Sequence, residues 1–421
     1  MRVLLTTIGS AGDVHPYIAI GVELRQRGHD VLLMTNPYFE SRVRGAGLMF
    51  GALGTREEYL GAIADPRLVS PRVSGRFVVN ELILSRAREH FVATRRAIRE
   101  FRPHAALRHI ISFGPDWALR REHIPTASAS LTPLFWFSRD DPGAFGAFSP
   151  QMRLAWLWRA ALPWARRYAG FVFDRRVNAL RIECGLDPQR DAFVNGLRGD
   201  GVKLGLWSPA FRSPTPGDPA DATICGFCVY DTYPEHAEEE ASLEAFVARG
   251  DPPLVFTLGS SVVHHAGDFY QRARTASATL ARRCVLLVGS DDVVKLNRHA
   301  TTDSVHVAGY ARYSTLFPRA CAVIHHGGVG TTAQALRAGV PQLILPHAND
   351  EFDNALRAAR LGAALRARPR ASARTLAARL ARLLQGGPQL AARNVAHAMA
   401  SDNGPARAAD ALERLAGQSS A

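Results

Sequence analysis

Two stretches of this chain gather residue types that do chemistry. The longer runs Ile324-His325-His326-Gly327-Gly328-Val329-Gly330-Thr331-Thr332, between an apolar run and an Ala-rich stretch, and is followed by Gly339-Val340-Pro341, Pro346 and Asn349-Asp350-Glu351-Phe352-Asp353-Asn354. Glycines at a helix start let backbone N–H groups close on an anion, and His and Thr side chains add donors. A Gly-rich turn between strand and helix is by itself an ordinary structural device. With His326 before it and a carboxylate pair one βα unit later, it reads as a site for a diphosphate-like anion. The shorter stretch, Gly9-Ser10-Ala11-Gly12-Asp13-Val14-His15-Pro16, sets a carboxylate and an imidazole at the end of the first apolar run.

Several other chemistries lack their residues. No complete G-x-G-x-x-G follows the first strand, and the second strand ends at Asn36, where a dinucleotide site wants an acid. Neither a G-x-x-x-x-G-K-[ST] loop nor a D-x-D pair occurs, so no kinase-type phosphate loop and no metal site are expected. Cys225-Gly226-Phe227-Cys228 has half of a zinc or redox spacing without its second pair, and the five cysteines are odd in number. They read as structural thiols.

The elements that must position these residues follow from periodicity. The chain opens as a strand (Val3 to Thr7), a Gly-containing turn, a helix with Tyr17, Ile20, Gly21 and Leu24 on one face, and a strand (Val31 to Thr35); that is a βαβ unit opening a parallel sheet. Less regular segments follow to about Thr132, then the aromatic run Leu134-Phe135-Trp136-Phe137 and a helix-like stretch bearing Trp156, Trp158 and Trp164. Pro209, Pro214, Pro216 and Pro219 fall between Ser208 and Asp221, which signals a linker. Beyond it strand and helix alternate again: Leu254 to Leu258, a helix from about Asp268, Cys284 to Val288, Val305 to Val307, Ala322 to Ile324, a helix after Gly330, Gln342 to Leu345 and a helix from about Glu351. The expected fold is α/β, two Rossmann-like doubly wound domains facing a cleft. The expected division is an N-terminal domain over residues 1–210, a linker over 211–221, a C-terminal domain over 222–400, and a helix over 401–421 that packs back on the first domain.

Composition agrees with that picture. A chain of 421 residues suits two cores, and 47% hydrophobic with 21% charged residues is ordinary for a globular protein. The net charge of +13 comes from 51 Lys+Arg against 38 Asp+Glu, with the arginines scattered along Ala- and Leu-rich helices. Nucleic-acid binding wants a clustered basic stripe with interleaved aromatics, and none is found. The opening residues reach a turn too soon to form a signal-peptide core and no run approaches 18 apolar residues. A cytoplasmic protein with at most peripheral contact to the inner face of an anionic membrane is expected.

On these residues the chain resembles the family-1 glycosyltransferases of GT-B fold. The likeness runs from Thr257-Leu258-Gly259-Ser260 through Gly309-Tyr310-Ala311 and the His326 turn to Asn354, where that family carries H-x-G-x-G/N-[ST] and D-Q-x-x-N. The N-terminal stretch resembles the G-S-x-G-D-V-x-P opening of the branch holding sterol glucosyltransferases, glycopeptide-antibiotic glycosyltransferases and the rhamnosyltransferase of rhamnolipid synthesis.

The resemblance implies an inverting, metal-independent hexosyltransferase that takes a glucose- or rhamnose-type sugar from a UDP- or dTDP-sugar and needs no further cofactor. The first domain would bind a small lipophilic or phenolic acceptor, with Phe135 and Trp136 as apolar walls, and the second the nucleotide-sugar. Ser260, His326, Gly328, Gly330 and Thr331 would hold the diphosphate. Tyr310 would stack on the pyrimidine, the Ala311 backbone would read its edge, and Gln334 falls where relatives contact the ribose. Asp350 and Glu351 would meet the sugar hydroxyls, with Glu351 in place of the usual Gln. Asp13 stands where plant relatives have the His base, and His15 is the competing candidate, at a helix start where a rim position is expected. Non-hydrolysing nucleotide-sugar epimerases share the fold but need no acceptor pocket. A catalytically silent binding protein would lack Asp13.

Overall fold

The continuous apolar runs of the sequence become strands buried on both faces, as parallel sheets require. The computed structural model describes residues 1–144, 155–232, 237–289 and 301–418. Its first sheet has seven parallel strands, β1 (Arg2–Thr6), β2 (Asp30–Thr35), β3 (Met49–Ala52), β4 (Ala105–His109), β5 (Thr126–Ser130), β6 (Lys203–Gly205) and β7 (Ala222–Ile224), in the order β3-β2-β1-β4-β5-β6-β7. The second has six, β8 (Leu254–Thr257), β9 (Cys284–Leu287), β10 (Val305–Ala308), β11 (Ala322–His325), β12 (Gln342–Ile344) and β13 (Ala364–Arg366), in the order β10-β9-β8-β11-β12-β13. Registers are regular: Leu4 lies beside Leu32 and Ala106, and Val255 beside Val323 and Val285.

Five helices matter for the site: α1 (Ala11–Gln26), α2 (Arg56–Ala64), α3 (Val329–Arg337), α4 (Glu351–Arg360) and α5 (Gly404–Gln418). The helix α1 buries Tyr17, Ile20, Gly21 and Leu24, the face read from periodicity. Each sheet carries apolar clusters on both faces, and the two sheets are the two Rossmann-like domains of the doubly wound α/β fold. The C-terminal helix α5 lies on the first domain, where Ala408, Ala409 and Leu412 join the α1 core and Arg27 pairs with Asp410 at 2.6 Å and Glu413 at 3.0 Å.

Two expectations are corrected. The proline-rich 211–221 segment joins β6 to β7, two neighbouring strands of the first sheet, so the chain crosses to the second domain only after Ile224. Its prolines follow a strap on the surface of one domain. Arg212 in that strap is buried and bonded to Asp218 and to Asp141. The region to Thr132, read as irregular, contains β3, β4 and β5 with their helices.

Candidate active site at the domain cleft

Each sheet reverses its strand order once, at β1/β4 and at β8/β11. Ligands of parallel α/β sheets bind beyond the carboxyl ends of the strands at such a switch. Here both switches open on one cavity of about 620 Å³, lined by Asp13 and His109 from the first and Ser260 and His326 from the second.

On the second domain, the chain leaves β11 through Gly327, at φ +106, and enters α3 with Gly328 as its cap residue. No side chain caps that helix, so its first N–H groups and its positive end are free for an anion at the cavity wall formed by Gly328, Val329, Gly330 and Thr331. A Cβ on Gly328 would lie 2.4 Å from His326 Nε2, and one on Gly259 would lie 2.4 Å from His326 Cε1. Glycine at both positions thus lets the backbone close on the His326 ring. Burial drives the pKa of His326 well below the usual histidine value, with His325 and His347 adding to the effect. The ring is therefore a neutral hydrogen-bonding group, not the cation that a charge-assisted contact would need. Among the described residues, neither its Nδ1 nor Gln334 Oε1 has a hydrogen-bond partner. His325 is a strut: its Nδ1 accepts from the Gly327 N–H at 3.1 Å and its Nε2 donates to Gln342 at 2.8 Å.

Tyr310 lines the cavity with its hydroxyl donating to the Asp231 carbonyl at 2.7 Å, and Ala311 is buried beside it. At the opposite end of the same wall, Asp350 accepts from Asn354 Nδ2 at 2.8 Å, and that amide also donates to the Gly327 carbonyl at 3.0 Å. One oxygen of Glu351 is used internally, accepting from the backbone N–H groups of His347 at 2.6 Å and Ala348 at 3.1 Å. Burial pushes the Glu351 pKa up to about 8. That shift favours the neutral acid, a form that can donate as an amide does.

From the first domain, Asp13 sits in the first turn of α1. Its Oδ2 accepts from the Ser10 N–H at 2.7 Å and the Ser10 hydroxyl at 3.1 Å. Loss of water raises its pKa to about 7, the Asp350 charge across the cleft adds to the rise, and the Ser10 bonds oppose it. His15, expected on the helix rim, also lines the cavity; its ring meets Tyr230 edge-on at 6.3 Å, and burial with the nearby Arg42 charge lowers its pKa to about 3.

Phe135 lines the cavity, but Trp136 does not. Its ring lies 4.5 Å from Trp207 in a cluster that also holds Ala333 and Leu336 of α3. The core between the domains has claimed it. Of the helix-borne tryptophans, Trp158 is buried, while Trp156 and Trp164 face outward. The apolar wall comes instead from the segment over residues 53–83, with Leu53, Tyr59 and Ile63 around α2 and then Leu68, Val78 and Leu82. Sequence reading missed these positions because no single period connects them. Among the described residues no group of side chains could hold a metal ion, and no helix is long and apolar enough to cross a membrane.

Two facing parallel-sheet domains with an uncapped, glycine-lined helix start on the second are the GT-B architecture. Residues 3–114 match the glycosyltransferase family 28 N-terminal domain, and residues 284–415 match the erythromycin biosynthesis protein CIII-like C-terminal domain. The chain is 32% identical to the O-mycaminosyltylonolide 6-deoxyallosyltransferase of Streptomyces fradiae, covering 88% of this chain and 86% of that one. It is 28% identical to the vancomycin aglycone glucosyltransferase of Amycolatopsis orientalis, over 86% and 84% of the two chains. The spinosyn rhamnosyltransferase solved with thymidine diphosphate shares the fold, with a TM-score of 0.65 at 17% identity over 98% and 100% of the chains. The chain belongs to the family-1 glycosyltransferases of GT-B fold, and its reaction is the transfer of a sugar.

Proposed function

We propose that the protein transfers a hexosyl group, of glucose or rhamnose type, from a UDP- or dTDP-sugar to a hydroxyl of a small lipophilic or phenolic acceptor, with inversion at the anomeric carbon. The observation that carries this reading is the pairing across one cavity: Asp13 faces the Asp350 carboxylate and the bare start of α3. The acceptor O–H gives its proton to Asp13 while its oxygen bonds to the anomeric carbon, on the face opposite the departing diphosphate. The glycosidic bond forms as the carbon–diphosphate oxygen bond breaks, and the nucleoside diphosphate leaves with its electron pair. Charge developing on it falls at the positive end of α3 and the donors of His326 and Thr331. This countercharge is why the reading includes no metal; activity undiminished by a chelator is the expected result.

A base with a pKa of about 7 is poised for this task, since it is half ionised near neutrality. The apolar wall from Leu53 to Leu82 supports a lipophilic acceptor and disfavours the epimerase reading. The thymidine diphosphate held by the spinosyn enzyme supports the dTDP arm for the donor. Peripheral contact with an anionic surface belongs to the same proposal, through the exposed Trp164, Tyr168 and Phe171; equal recovery with and without anionic liposomes at low salt would remove it.

The test is a mass-spectrometric screen of UDP- and dTDP-sugars against phenolic, sterol and hydroxy-fatty-acid acceptors. A product heavier than the acceptor by one anhydrohexose or deoxyhexose, of inverted anomeric configuration, is expected. Epimerised nucleotide-sugar without acceptor consumption would replace this reading with the epimerase.

A further inference from the structure

The helix α4 has two jobs on two faces. Its start carries Asp350 and Glu351 into the cavity, whereas Asp353, Asn354 and Arg357 are buried away from solvent and reach for the first domain. Asp353 Oδ1 accepts from the Ala144 N–H at 3.0 Å, and its other oxygen accepts from Arg357 Nε at 2.7 Å. The Arg357 guanidinium then forks onto Asp141 through one hydrogen bond, Nη1 to Oδ1 at 3.1 Å, and one ion-pair contact, Nη2 2.9 Å from Oδ2 without hydrogen-bond geometry. Asp141 also accepts from Arg212 Nε at 2.9 Å, and Arg212 is bonded in turn to Asp218 within the 211–221 strap. The Arg212 guanidinium lies over the Trp136 ring, 5.7 Å from its centroid, next along the chain from Phe135 in the cavity wall.

A set of buried charges is costly to assemble and is a poor source of net stability. What it does supply is geometry: a guanidinium held by one hydrogen bond and one ion-pair contact to the same carboxylate, and by Nε to a second carboxylate, is restricted in distance and angle together. This set joins the helix that presents the sugar-side carboxylates to the loop and strap that carry the acceptor-side aromatic. Rotation of α4 by a few degrees would move Asp350 relative to Asp13, and a displacement near 1 Å is enough to cost about a hundredfold in rate.

We propose that Arg357 and Asp141 are positioning residues for the transfer reaction: their buried fork holds the sugar-binding end of α4 in register with the base and acceptor wall of the other domain. Neither touches the reacting atoms. The nucleotide end of the cavity is built on α3 and the Tyr310 segment, which carry neither member of the fork, and α4 reaches it through the Asn354 bond to the Gly327 carbonyl. Loosening it therefore separates sugar from acceptor without loosening nucleotide from protein. Water can then take the place of the misaligned acceptor hydroxyl at the anomeric carbon.

The inference rests on the glycosyltransfer reading, so wild-type turnover is the first arm of its test. Absence of transfer by the wild type with every donor and acceptor tried would sink that reading itself. Given wild-type transfer, Arg357→Lys keeps the charge and loses the fork, and Asp141→Asn keeps the shape and loses the charge. For both, nucleoside diphosphate affinity by calorimetry is expected to stay within about threefold, while kcat for transfer falls about ten- to a hundredfold. The ratio of donor hydrolysis to transfer is expected to rise, which a merely stabilising contact would not move. If one variant fails to fold, the other carries the test, and Arg357→Met offers a third, uncharged version of similar volume. Folded variants with wild-type transfer and hydrolysis ratio overturn the inference. So does a nucleotide affinity that falls as far as kcat, because the fork would then act through the donor pocket.

Discussion

In the second domain the helix-start part of the cavity wall is backbone: Gly259 and Gly328 lie so close to His326 that neither has room for a side chain, and the first N–H groups of α3 follow them. In the first domain the wall is mostly side chain: Leu53, Tyr59, Ile63, Val78 and Leu82 project from three short segments and meet only in the fold. A backbone wall holds one geometry and suits the diphosphate that every such donor shares. A side-chain wall can change its shape by substitution while the chain path stays put, and it suits an acceptor that differs from one relative to the next. Asp13 is an exception to that apolar set, one of several polar groups lining the first-domain side and one fixed by its own helix start.

The sharpest test of that exception has the largest expected effect. Asp13→Asn is nearly isosteric and keeps the Ser10 contact, yet cannot accept the acceptor proton; kcat should fall by about 10²–10⁴, the range for a lost general base, with nucleotide affinity preserved. His15→Ala should cost less than about tenfold, because its imidazole is buried and neutral beside Tyr230. In the wild type, transfer should rise with pH through about 7 as Asp13 ionises. Near-normal turnover in the Asp13 variant with collapse in the His15 variant reverses the assignment.

The backbone wall can be probed by two methyl groups. At Gly328 an added Cβ strikes His326 Nε2 at 2.4 Å, whereas at Gly330 nothing of the protein lies within 4 Å. Gly328→Ala should lower both melting temperature and nucleotide affinity, with an overpacking cost of about 1–3 kcal/mol. Gly330→Ala should melt like the wild type and still bind nucleotide about tenfold less well, since the methyl stands where a phosphate must approach the helix start. Wild-type affinity in the Gly330 variant would move the diphosphate elsewhere. Tyr310→Ala should cost about 1–3 kcal/mol of nucleotide binding through lost stacking, and equal binding by titration calorimetry would take Tyr310 out of the site.

The same contrast explains what could be read from the sequence. That the second-domain glycines, His326, Asp350 and Glu351 would share one cavity was legible because they fall close together in the chain, at a spacing that follows from a strand, a turn and a helix. The apolar wall proposed for the acceptor was not, because positions 53–83 fold into short helical turns with no sustained period. Aromatic residues were the only signal there, and they misled: Trp136 was drawn into the core beneath α3 and only its neighbour Phe135 reaches the cavity. The prolines between Ser208 and Asp221 mark an exposed path, a signal shared by linkers and by straps within one domain. What decided between them was the pairing of β7 with β6, a contact between strands that composition does not encode.

The smallest expected effect concerns Glu351, which by the family resemblance stands in place of a Gln. At face value a carboxylate and an amide differ sharply, since one accepts only and the other also donates. Burial works against that difference: it raises the Glu351 pKa to about 8 and so favours the protonated form at pH 7, with one oxygen held by the His347 and Ala348 N–H groups. A Gln can keep those two bonds with its carbonyl and offer its NH₂ where the acid offers O–H. Glu351→Gln should therefore change kcat and donor preference by less than about threefold at pH 7, well below the loss expected for a removed catalytic group. The two proteins should part as pH rises. Above about 8 the wild-type group ionises, loses its donor and places a second charge beside Asp350, so wild-type transfer should fall along an alkaline limb that the variant lacks. Donor profiles are best compared at pH 7 and pH 9 on the same preparations. A large change of sugar preference already at pH 7 would mean that Glu351 is ionised in the working enzyme and reads the sugar as a carboxylate.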